Sequence, residues 1–156
     1  MNVQTKTDLR PETISKLQDL GRINLDSSKG FDDAAEHVKN PHLADLFREL
    51  ATERRSQLNE LNTFIDVNGE DTVVQGSYAA KFHRMWMKFR DSVSSDNAHT
   101  ILSEAEYGED QIKEAYEDAL KETAGSPMND VLQKQYAQVK SAHDRVRDLR
   151  DTTASK

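Results

Sequence analysis

A chain of 156 residues is long enough for one domain with a real core, and its 28 Asp and Glu against 21 Lys and Arg give a net charge of -7, which disfavours binding to nucleic-acid phosphates. The absence of cysteine excludes disulfides, thiolate metal sites and a cysteine nucleophile. Residues 1 to 10 are polar, and no run approaches the roughly 20 apolar residues a membrane span needs, so a soluble cytoplasmic protein is expected.

The elements follow from where the few prolines and glycines fall. Residues 1–10 are expected to be a flexible N-terminus. Pro11 sits at a first helical position after Thr7 and Asp8 and opens a helix over 11–39; Asn40-Pro41 breaks it and starts a second over 41–67, which Asn68-Gly69 stops. A shorter helix is expected over 76–93, its apolar face reading Ala79, Phe82, Trp86, Phe89 and Val93 at spacings of three and four. The loop Ser94-Ser95-Asp96-Asn97 precedes a third long helix over 98–122. Gly125-Ser126-Pro127 makes the last turn before a fourth over 127–151. Residues 152–156 are read as a frayed tail. Nowhere is there the sustained two-residue alternation of a strand.

The fold class expected is therefore all-α. The connection between the second and third long helices is too long for a short up-down loop. It carries a helix of about 27 Å at 1.5 Å per residue, enough to cross most of a bundle, so those two long helices should run parallel. Aligned from their turns, the inward stripes lose apolarity at mid-length. The first supplies Asn24 and Ser28, the second Arg54, the third Glu109, and the fourth Ala142 beside His143. One central polar layer of Asn24, Ser28, Arg54, Glu109 and His143 is expected. A lone buried guanidinium is costly, so Arg54 should be buried and meet Glu109 or a neighbouring carboxylate.

The strings FDDAAEHVKNPHLADLFRELATERRSQLNEL, FHRMWMKF, AEYGEDQIKEAYEDAL and AHDRVRDLRD resemble a bacterial family of short ferritin-like proteins classed as a domain of unknown function. The resemblance covers about residues 12 to 151. It implies a ferritin-like four-helix bundle with a long crossover carrying the fifth, short helix, and associates the chain with stress response, but brings no established activity. The wider ferritin-like superfamily holds two metals with one Glu on each of two helices and a Glu-x-x-His pair on each of the others. This sequence departs from that pattern. Glu53 is followed three residues on by Ser56, Lys140 stands three before His143, and Asn24 and Ser28, flanked by Asp26, replace a glutamate on the first helix. A guanidinium in that layer adds positive charge where cations would sit. No metal or other cofactor is expected, and isolated protein should carry less than one equivalent of iron, manganese or zinc; the residues to watch for a metal are Glu53, Glu106, Glu109 and His143.

No arrangement of Ser, His and Asp suggests a nucleophile, and glycines are too sparse for a phosphate loop. His37, His42 and His99 lie near helix ends and read as capping or solvent residues. The short helix is a candidate interaction element, with Phe82, Trp86 and Phe89 on one stripe and Lys81, Arg84, Lys88 and Arg90 on the polar face. Packing of the stripe onto the bundle is expected, with Trp86 buried. Met85 and Met87 should point away from it and could support a homo-oligomer. The role expected is structural or interactive, with no catalytic residue and an unknown protein partner. Two alternatives remain: a metal-binding or ferroxidase-type enzyme with an atypical carboxylate site, and membrane-surface or partner binding through the basic aromatic helix.

Overall fold

The computed structural model describes residues 4–75 and 80–153, without the side chains of residues 80 and 81. Among the described residues five helices follow in order: α1 Pro11–His37, α2 Pro41–Val67, α3 Ala80–Val93, α4 Ala98–Glu122 and α5 Asn129–Thr153. No strand forms among the described residues; Thr5 and Asp8 make an isolated bridge. The expected start of the short helix at 76, with Tyr78 and Ala79, falls outside the described residues, as do residues 1–3, 154–156 and the side chain of Lys81.

Local chemistry sets the boundaries. Proline supplies a fixed φ and lacks the N–H that a first turn leaves unpaired, and it begins both α1 and α2. The Asn40 side chain accepts from His42 N and Leu43 N, and Asn97 accepts from Thr100 N at the head of α4. Gly69 and Gly125 end their helices with φ of +76° and +83°, a conformation open to glycine at little cost. Two ends differ from the sequence expectation. α1 stops at His37 because Val38 is already extended, and α5 starts at Asn129 because residues 126–128 form a turn in which Ser126 Oγ accepts from Met128 N. At the other end α5 remains helical to Thr153, beyond the expected 151.

Contacts fix the directions of the long helices. Asp32 on α1 pairs with Arg55 on α2, and Asn68, just beyond α2, reaches the start of α1, so these two are antiparallel. Tyr136–Glu117 and His99–Thr153 make α4 and α5 antiparallel. Glu49–Arg145 and Glu60–Lys134 set α5 antiparallel to α2, which leaves α2 and α4 parallel. Helix α3 packs against α1 and α4. The segment before it is strapped down. Asn62 and the backbone of Val73 exchange two hydrogen bonds of 3.0 and 2.8 Å, and Val73 lies on Gly21, where an added Cβ would stand 2.9 Å from its Cγ2.

The apolar core divides into two clusters. One holds Leu17, Leu20, Ile23, Leu61, Ile65, Ile112 and Leu132; the other holds Phe31, Phe47, Leu50, Phe89, Ile101 and Val146. Burying such a side chain contributes about 1.5–3 kcal/mol. Between the clusters lie Asn24 to Ser28 on α1, Arg54 and Gln57 on α2, and Glu109 on α4, all buried except the half-buried Leu25 and Asp26.

Three expectations need correction. Residues 4–10 are fastened: Leu9 is buried, its N–H donates to Asn68 Oδ1, Asn68 Nδ2 donates to Lys6 O, and Lys6 pairs with Asp130. Met85 belongs to the core because α3 fits between two helices and so buries a wide stripe; Met87 alone of that pair is exposed. Trp86 touches both clusters but is only partly buried.

Candidate functional site

The centre of the molecule is a buried polar network. Arg54 and Glu109 are each 0% exposed, and Arg54 Nη2 donates to Glu109 Oε2. Arg54 Nη1 donates to Gln57 Oε1 at 3.1 Å, and Gln57 Nε2 donates to Gln138 Oε1 at 3.1 Å. One turn along, Asn24 Nδ2 donates to the Tyr116 hydroxyl and that hydroxyl donates to Gln135 Oε1, both at 2.7 Å. Gln135 Nε2 in turn reaches Gln57 O and Glu60 Oε1. The chain of bonds from Asn24 to Glu109 therefore touches all four long helices. It leaves Asn24 Oδ1, Arg54 Nε and Glu109 Oε1 buried without a hydrogen-bond partner.

Burial governs the titration of this region. It pushes the Glu109 carboxyl above its ordinary value, with the Arg54 charge and hydrogen bond pulling in the opposite direction. Glu53, half-buried beside Arg54, is raised for the same first reason and drawn back by Arg54 and Arg145. The Tyr116 hydroxyl is also pushed up by burial, and so stays neutral and free to donate. Four surface clefts are lined by neither Arg54, Glu109 nor Tyr116.

The expected layer is brought together in part. Arg54, Glu109 and Asn24 lie in the network. Ser28 is buried, but its hydroxyl donates to Leu25 O of its own helix. His143 stands at the α4–α5 seam, with Nδ1 3.0 Å from Asp144 Oδ1 and Nε2 2.7 Å from Asp110 Oδ1 and 3.6 Å from Glu106 Oε1. Asp144 is held down at about 2, first by its hydrogen bond with His143 and then by Lys140. Glu106 also pairs with Arg150. Glu53 and Glu109 flank the guanidinium, and although the His143 charge acts on Glu109, the group whose donor atoms gather within 4.8 Å is Glu106, Asp110 and His143. Reading the stripes as apolar missed Gln57, Tyr116 and Gln135 as network members; the glutamine at an inward position of α5 was the available signal. Asp110 was missed because its place shows only once α4 and α5 are docked.

On the short helix, Phe82 and Phe89 are buried, and Trp86 meets Phe31 and Phe89 edge-on at 5.2 and 5.8 Å between ring centroids. Its neighbour Gly30 is approached so closely that an added Cβ would lie 2.5 Å from the indole. Lys88 faces Glu104 and Arg90 faces Asp33, at 3.6 and 3.3 Å, while Arg84 is exposed.

A comparison with curated proteins finds no match. A family model described as a domain of unknown function (DUF2383) matches residues 12–122, from α1 through α4; α5, which carries the string AHDRVRDLRD, lies beyond the matched part. Since the match spans well over half of the chain, the protein belongs to the DUF2383 family, a domain of unknown function.

Proposed function

We propose that this protein is a ferritin-like four-helix bundle whose centre holds an internal ion pair instead of two metals, and that it acts as a structural or interaction protein without catalysis of its own. The observation that carries this reading is the Arg54–Glu109 pair, wholly buried at the level where a dimetal centre would need carboxylates and imidazoles and no cationic side chain. A guanidinium fixed there repels cations and occupies the carboxylate that would bridge them. The network around it joins four helices, which suits a part that holds register better than one that turns over substrate.

The ferroxidase-type alternative requires Glu53 and Glu109 to leave Arg54 and bind iron. The decisive test adds ferrous ion to metal-stripped protein in air and follows oxidation by absorbance. We expect a rate no faster than buffer and no oxo-bridged diferric signal. Two irons per chain, lost together in Glu53→Gln and Glu109→Gln, would refute the metal-free centre. The membrane alternative is weakened by the placing of Phe82 and Phe89 in the core, since the stripe that would enter a bilayer already serves the bundle. No helix among the described residues is long and apolar enough to cross a membrane.

A further inference from the structure

We propose that Glu106, Asp110 and His143 form a mononuclear site for a divalent first-row transition ion at the α4–α5 seam, outside the central ion-pair network. One donor atom from each lies within 4.8 Å of the others. Donors bound to one ion at about 2.1 Å and at right angles stand about 3 Å apart, so only a small closure separates these side chains from a coordination shell.

Three features favour an ion over a simple ion pair. The His143 ring is 7% exposed, and Nε2 has no hydrogen-bond partner although Asp110 Oδ1 stands 2.7 Å away. A proton on Nε2 would need a carboxylate along the N–H line, whereas a metal accepts donors from several directions. The Nδ1 edge is held by Asp144 at 3.0 Å, the carboxylate–histidine arrangement that fixes a ring's tautomer and aims its other nitrogen at a metal. Glu106 and Asp110, four apart on one helix face, set two like charges together, which costs energy unless a cation lies between them. Arg150 takes Glu106 Oε2 and leaves Oε1 facing the imidazole. The remaining cations nearby, Lys140 and Arg147, are engaged by Asp144.

One imidazole and two carboxylates suit zinc, manganese or ferrous ion, with open positions for water. The site differs from a dimetal centre in drawing on two helices only and in sparing Arg54, Glu53 and Glu109. Titration of the stripped full-length protein with zinc chloride, followed by calorimetry, tests it. We expect one zinc per chain, at least tenfold weaker in Asp110→Asn and in His143→Gln, about tenfold weaker in Asp144→Asn, which loosens the ring's anchor, and unchanged in Glu53→Gln. Asp110 is half-exposed, so its amide variant tests the site without threatening the fold; circular dichroism checks the His143 variant. Failure to saturate at one ion per chain, equal affinity in wild type and Asp110→Asn, or loss in Glu53→Gln with Asp110→Asn unaffected would each overturn the proposal.

Discussion

Removing the Arg54 guanidinium strands Glu109 in a place no solvent reaches. Arg54→Ala is expected to destabilise the protein by about 3–5 kcal/mol, the range for breaking a buried pair, whereas replacing both partners, as in Arg54→Met with Glu109→Leu, should recover most of that loss. Urea unfolding of the three proteins measures it, and a double variant as unstable as the single one would show that the pair contributes more than mutual compensation. Tyr116→Phe removes a hydroxyl that both accepts from Asn24 and donates to Gln135. We expect a loss of about 1–3 kcal/mol, because the buried Asn24 Nδ2 and Gln135 Oε1 then lose their partner. The inward place of Arg54 was legible in the sequence, since helical periodicity alone puts it on the Leu50–Leu61 stripe. Gln57 and Asp110 were not legible: their roles depend on side-chain reach across a helix seam, which no spacing along one helix encodes.

Helix α3 is held by shape more than by sequence preference. Gly30 on α1 leaves the space that the Trp86 indole fills, so Gly30→Ala has two opposed effects. Alanine favours the helix by about 1 kcal/mol, but its methyl group must displace a ring wedged against Phe31 and Phe89. Overpacking of this kind typically costs about 1–3 kcal/mol. A net destabilisation with red-shifted tryptophan emission is the expected result, and an unchanged spectrum would mean that the indole finds another seat at no cost. Trp86→Ala should lose about 3 kcal/mol, the lower end for such a truncation because the ring is only partly covered. The Phe82, Trp86 and Phe89 stripe could be read from spacing. The burial of Met85 could not, because the width of a buried stripe depends on whether the helix lies on one neighbour or between two.

At the scale of the whole molecule, five helices, their order and the parallel run of α2 and α4 were all within reach of the sequence, because prolines, caps and glycines punctuate it clearly. The fastening of residues 4–10 was beyond it, since the bonds from Asn68 join segments about 60 residues apart and leave no local pattern. If α3 stays seated, Trp86 emission should be the same with and without anionic liposomes; a blue shift on adding them would restore the membrane reading. The strap from Asn62 to Val73 also bears on how two chains behave when they meet. Every contact between the α1–α2 and α4–α5 hairpins could be remade between copies that trade their second hairpins, a dimer that gains stability only if the linking segment can span the gap. By pinning Val73 back onto α2 and Gly21, the strap shortens that span, so freeing it with Asn62→Ala should raise the share of exchanged dimers recovered when concentrated protein is refolded.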